Sequence, residues 1–277
     1  MNNELIEEWY LQNGIYDIIE EIPFSHFLDD VDMNKREKEQ IIRSISGIGG
    51  NATKSGNVRR DDRSFEKKSV SNFELQKKIT ESRRIANQSY SVDELRQNIA
   101  NFDIGDIKRM AKQIVFAEGD VNSDIMIIGE APGEEEDLQG RPFCGDSGKL
   151  LDQMFRSIGI KREQLYITNS FFWRPPANKI DLVKDEVYIC KPFVEKHIYL
   201  INPKLIVCVG ATAFLELTQN RQVSITEARQ KVFEYSNEYL KNKINLVAIF
   251  HPSYMLRNPI KKKETWQDLL FIKDIIS

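Results

Sequence analysis

The chain is 277 residues long, 41% hydrophobic and 29% charged, with a formal net charge of −3, which suits a soluble globular protein of one large domain, or one domain with an appendage. The near-balance of 39 basic and 42 acidic side chains excludes attraction to nucleic acid through overall charge, so any such binding must rest on local basic clusters. No apolar run approaches the ~20 residues that span a bilayer, Met1-Asn2-Asn3-Glu4 is no secretory signal, and three cysteines without a C-x-x-C pair argue against a disulfide framework or an all-thiolate metal site; a cytoplasmic protein is expected.

From Leu5 to about Leu28, the residues Leu5, Ile6, Trp9, Tyr10, Ile15, Ile18 and Ile19 fit short amphipathic helices, broken near Asn13-Gly14 and closed by Pro23. Residues 1–30 are therefore expected to form a short helical segment. Residues 31–91 are rich in Lys, Arg, Ser, Asn and Gly, with Gly47-Ile48-Gly49-Gly50-Asn51 among them. They read as a flexible polar linker that contains helix-forming sequence from Asn72 to Ala86. Arg59-Arg60-Asp61-Asp62-Arg63 is either a solvated face or a patch that brushes phosphate.

Residues 92–277 carry the pattern of a compact domain. Four short apolar runs, Ile125–Ile128, Leu165–Thr168, Leu205–Val209 and Leu246–Phe250, have the length and side chains of buried strands. Helical patterns separate them at Gly148–Ile158, Lys184–Ile201 and Ala211–Leu217, and a last amphipathic helix covers Glu264–Ile276. Alternation of this kind predicts an α/β domain with a parallel sheet and helices on both faces. Cys208, inside the third run, reads as a packed strand residue.

Ligands of open α/β sheets sit beyond the carboxyl ends of the strands, and three of the four runs end in an unusual loop. The first leads into Gly129-Glu130-Ala131-Pro132-Gly133-Glu134-Glu135-Glu136-Asp137, the second into Thr168-Asn169 and then Trp173-Arg174-Pro175-Pro176-Ala177-Asn178, the last into His251-Pro252-Ser253-Tyr254-Met255-Leu256-Arg257. Each has a plain alternative. Gly-x-x-Pro-Gly can be only a turn, Asn169 can bond its own loop, and His251 and Phe143 can be core residues. Their joint placement at strand ends, in this order, favours a site.

These motifs, with Gly140-Arg141-Pro142-Phe143, closely resemble those of family four uracil-DNA glycosylases from about Phe102 to the C-terminus; Leu5–Phe24 also resembles an extension on some bacterial members. The resemblance implies a three-layer α/β/α sandwich with a four-stranded parallel sheet, and hydrolysis of the bond between uracil and deoxyribose in DNA. It implies that Phe143 stacks on the extruded base and that the Asn169 amide pairs with uracil N3–H and O4, where cytosine would present donor against donor, at a cost of ~1–3 kcal/mol. Backbone amides of the Glu130–Gly133 loop, Ala131 and Gly133 included, would receive base oxygens, and His251 would face O2 as negative charge develops there. Glu130 and Glu136 are the candidates for positioning water or supporting the sugar cation; Ala131 lacks the carboxylate that related families place there. Met255 and Leu256 fall where the superfamily inserts an apolar wedge, or they pack on the last helix; Arg257 and Lys261-Lys262-Lys263 would grip phosphate.

One departure concerns the cofactor. The resemblance implies a four-iron cluster on four cysteines, of which only Cys190 is retained; Trp173 stands at a second position, and no cysteine occurs around Phe102–Asp106. One thiolate cannot hold such a cluster, so the chain is expected to carry no metal and no cofactor, with Trp173 filling volume and Cys144 having only a packing effect. The expected partner is uracil-containing DNA, bound by a monomer with no membrane association, and residues 1–91 could dock a repair or replication partner. Two other readings stay open: a glycosylase for hypoxanthine or xanthine, and a protein that binds uracil-containing DNA without hydrolysing it.

Overall fold

The structure, a computed structural model, describes residues 72–176 and 184–276. The expected helices of residues 1–30, most of the expected linker, and Asn178 of the middle motif lie outside them. No described helix is long and apolar enough to cross a membrane.

The sheet grows from strands that water never reaches. Every residue of β2 (Ile125–Gly129), β3 (Tyr166–Asn169) and β4 (Leu205–Val209) is buried, which requires cover on both faces and suits parallel pairing. β6 (Ile244–Ile249) completes a parallel core in the order β3-β2-β4-β6, with Met126 opposite both Tyr166 and Ile206, and Val207 opposite Val247. The expected four-stranded parallel sheet is this core. It is extended at each edge by an antiparallel strand of three residues: β1 (Ala117–Gly119) pairs with β3 and β5 (Phe233–Tyr235) with β6, giving a mixed sheet of six strands.

Two helical groups cover the sheet. One comprises α1 (Asn72–Asn87), α2 (Val92–Asn101) and the long α6 (Lys184–Ile201), which pack on one another. α1 arises in the stretch read as linker, yet Arg83 pairs with Glu195 of α6 (3.5 Å), and Tyr239 donates to Asn87 (2.6 Å). Ser91 caps α2 by accepting from the Glu94 amide (3.2 Å). Between α2 and β1 lies the single turn α3 (Asp106–Met110). The second group is α5 (Asp146–Ser157), which buries Leu151, Met154 and Phe155 at helical spacing, with α9 (Pro252–Arg257) and α10 (Lys261–Ile276). α4 (Glu134–Gln139) follows β2, while α7 (Ala211–Thr218) and α8 (Ile225–Ala228) lie between β4 and β5.

The core does contain a packed histidine, but it is His197, whose Nδ1 is buried without a partner among the described residues. Its ring stacks on Phe116 at 4.5 Å and its Nε2 lies 2.7 Å from the Tyr166 hydroxyl. Burial pushes its pKa down to about 3.

Candidate active site

The carboxyl ends of β2, β3, β4 and β6 open on a cleft of about 360 Å³, whose lining includes Glu130, Ala131, Gly133, Thr212, His251 and Arg257. Arg174 reaches Glu134 at 3.5 Å along the rim. Phe143 and Asn169 do not line this open volume. They are buried, 5% and 2% exposed, and meet behind it over Gly129. The β2–β3 register sets Gly129 opposite Asn169; a Cβ on Gly129 would lie 2.4 Å from the Asn169 amide oxygen and 2.5 Å from Phe143 Cζ. Glycine is therefore required by close approach, not by an unusual φ. The Phe143 ring in turn meets His251, with ring centroids 5.9 Å apart. Ring, amide and imidazole, far apart in sequence, are thus neighbours.

Backbone bonds hold the first loop in place beyond the strand ends. The Ser170 amide donates to the Gly129 carbonyl (2.8 Å), and the Phe171 amide and Ser170 hydroxyl both donate to the Glu130 carbonyl (3.0 Å each). The Glu130 side chain is open to the cleft but crowded by protein elsewhere. Desolvation raises its pKa, and a hydrogen bond from Thr212 partly opposes the rise.

His251 follows β6 and caps α9. Its Nδ1 accepts from the Ser253 amide (3.2 Å) and lies 2.8 Å from the Ser253 hydroxyl. An accepting Nδ1 assigns the proton of the neutral ring to Nε2. Burial, with a smaller push from the Arg257 cation, lowers the pKa to about 4, so at neutral pH the ring offers an uncharged N–H. Phe250, just before it, is overlain by the Arg229 guanidinium at 4.1 Å. Arg229 is itself held by Asp268 (2.7 and 3.0 Å) and Glu264 (2.7 Å).

Two expected residues take different places. Glu136 does not line the cleft: its carboxylate accepts the amides of Gly133 (3.1 Å), Cys144 (3.2 Å) and Gly145 (3.1 Å). The chain turns back there, and Glu136 fastens the first loop to the Phe143 segment. Met255 is 1% exposed and packs toward Met154 and Leu269, so it is no wedge. Leu256 points out, 44% exposed, and Arg257 is exposed beside it. Lys261 is half-buried and bonds Glu264 (2.8 Å), whereas Lys262 and Lys263 are exposed. Gly210 and Thr212 went unnoticed in the sequence. Their signal was position, since they follow the fourth strand end, whose loop looked ordinary.

The family model of the uracil DNA glycosylase superfamily matches residues 116–270. The type-4 uracil-DNA glycosylase of Archaeoglobus fulgidus is 34% identical over 188 residues, covering 67% of this chain and 93% of the relative. That of Thermotoga maritima is 41% identical over 145 residues, 52% of this chain and 72% of the relative. A type-5 enzyme of Pyrobaculum aerophilum is more distant, 25% identical over 150 residues, 49% of this chain and 63% of the relative.

Likeness to type-4 enzymes, a class known for iron–sulfur clusters, overturns the expectation that this chain carries no cofactor. That expectation rested only on counting thiolates at positions supplied by resemblance. The described side chains fit a four-thiolate site poorly all the same. Cys190 and Cys208 are buried, with thiol pKa values raised by desolvation; Trp173 is packed against Phe171 and Phe172; and no three metal-ligating side chains converge among the described residues. With residues 116–270 matched and type-4 relatives aligned along most of their lengths, the chain belongs to the uracil-DNA glycosylase superfamily, in family four.

Proposed function

We propose that the protein is a uracil-DNA glycosylase that hydrolyses the bond between deoxyribose and an extruded uracil, initiating base excision repair. The observation that carries the reading is the convergence of the Phe143 ring and the Asn169 amide on Gly129, with the His251 ring against Phe143. In this reading Phe143 stacks on the base and Asn169 reads its N3–H and O4. The Nε2–H of His251 meets O2, and amides of the Glu130–Gly133 loop donate to the remaining lone pairs of O2 and O4. As the C1′–N1 bond breaks, its electron pair leaves with the base. The uncharged N–H of His251 stabilises that anion without first having to lose a proton. Water then bonds to C1′ and gives its proton to Glu130, whose raised pKa suits a base. Leu256 fills the gap left in the duplex, and Arg257 with Lys262 and Lys263 holds phosphate. We read the protein as a cytoplasmic monomer whose residues 1–71 dock a repair or replication partner.

Incubation with labelled oligonucleotides bearing uracil, hypoxanthine, cytosine or thymine, followed by alkaline cleavage of abasic sites, tests the reading. Strand breaks are expected at uracil alone. Binding without breaks would sink the hydrolytic reading, and breaks at hypoxanthine alone would change the substrate. Asn169→Asp is expected to begin releasing cytosine, because a protonated carboxyl or a rotated acceptor meets the C4 amino group that the amide repels. Gly129→Ala is expected to lower kcat/KM by roughly tenfold to a hundredfold, since its methyl must push aside either the ring or the amide. Wild-type turnover by that variant would mean that the two groups do not meet over Gly129 in the working enzyme.

A further inference from the structure

Phe143 holds a backbone conformation, φ +49°, that a bulky side chain keeps only when its surroundings enforce it. Much of the enforcement comes from one guanidinium. Arg162 opens the short 3₁₀ turn Arg162–Gln164 before β3. Its Nη1 donates to the Phe143 carbonyl (3.1 Å) and to Asp152 (2.9 Å). Its Nη2 donates to the Pro142 carbonyl (2.7 Å) and to Glu118 (3.0 Å). The side chain of Arg162 is only 14% exposed, and its Nε is buried without a partner among the described residues. Glu118 also accepts from Arg141 (2.7 Å), so the residues leading into Phe143 are gripped from both sides. From the opposite direction α5 presses on the same carbonyl: a Cβ on Gly148 would lie 1.7 Å from the Phe143 oxygen. The peptide is clamped between a helix and a fork of donors.

We infer that Arg162 is a positioning residue: by holding the Pro142 and Phe143 carbonyls it fixes the backbone that aims the Phe143 ring at Gly129, Asn169 and His251. The inference deepens the proposed function and rests on Phe143 as the base-stacking ring. A bland alternative is an ion pair that merely joins β1 to α5 through Glu118 and Asp152. The two differ in what lysine can replace. An ammonium supplies charge to either carboxylate, but it cannot reach two carbonyls and two carboxylates in one planar fork.

The test is a double-mutant cycle on kcat/KM for uracil release from a single-stranded oligonucleotide, with wild type, Arg162→Lys, Phe143→Leu and the double variant. Arg162→Lys is expected to cost on the order of tenfold to a hundredfold while remaining folded at the assay temperature. In the Phe143→Leu background the same change is expected to cost less than about twofold, because the route through the ring is already gone. An equal loss in both backgrounds, or wild-type turnover by Arg162→Lys, would overturn the inference. Should Arg162→Lys fail to fold, Arg162→Gln takes its place in the cycle. A crystal structure of the variant gives a readout that needs no turnover. Phe143 is expected to leave its positive φ and its contact with His251, and retention of both would equally overturn the inference. If the wild type releases no uracil, the proposed function fails, while the crystal structure still reports whether Arg162 holds Phe143.

Discussion

His251→Ala is expected to lower kcat/KM for uracil release by about 10²–10³-fold, the usual cost of removing one preorganised donor from a developing anion. The geometry makes this donor hard to replace. Ser253 occupies Nδ1 from its amide and its hydroxyl, so the ring can neither flip its tautomer nor rotate cheaply. Gly210 leaves room behind it: a Cβ there would lie 3.3 Å from His251 Cβ. The pH profile separates this role from that of an ordinary histidine. With its pKa lowered to about 4, the ring stays neutral throughout pH 5–8, and wild-type kcat/KM is expected to show no inflection near 6.5. An inflection there that vanishes in His251→Ala would mean that the imidazolium is the working form. Stability should respond on the acid side. A histidine whose folded pKa is depressed contributes stability above its unfolded value of 6.5, and that contribution is lost as pH falls from there toward the folded value. His251 and His197, the latter lowered to about 3, act in the same direction, so urea midpoints should drop below about pH 6.

How much of this was legible in the sequence depended on whether a residue's partner lay nearby in the chain. The four core strands were visible because burial on both faces demands unbroken apolar runs. β1 and β5 were not, since three residues at a sheet edge, such as Ala117-Glu118-Gly119, carry no periodicity. Phe143, Asn169 and His251 stood out because each follows a strand inside a recognisable loop. Arg162, by contrast, reads as one more charged residue in Lys161-Arg162-Glu163-Gln164, and only the fold brings it beneath Phe143. Glu136 shows the same limit: sequence shows an acid, but not the three amides from which it accepts. Met255 and Leu256 are adjacent in sequence and point opposite ways on a short helix, so at most one of them could be a wedge. Sequence spacing alone did not say which.

Glu216→Gln is expected to stabilise the protein at slightly alkaline pH, by about 4 kcal/mol at pH 7.5. Glu216 lies on α7, one turn after Thr212. Burial drives its pKa up to about 8, against a hydrogen bond with Ser170, and the charge of Glu130 adds to the rise. One of its carboxyl oxygens is buried without a partner among the described residues. Cys190 of α6 and Cys208 of β4 also face it, with thiols that burial keeps protonated. The unfolded chain releases this proton near the ordinary value of 4.5, whereas the native protein keeps it to about 8. Between those values the native state holds the extra proton, so stability falls as pH rises, by about 1.4 kcal/mol per unit, and levels off above 8. Glutamine fills nearly the same volume, still meets Ser170, and has no proton to hold. Urea unfolding of both proteins from pH 5 to pH 8 reads the difference. The gap should widen steadily with pH, and curves that run parallel would show that Glu216 is ionised in the native state. Uracil release at neutral pH should be unaffected, because the wild-type side chain is already neutral there and Glu130 already lacks a second charge beside it.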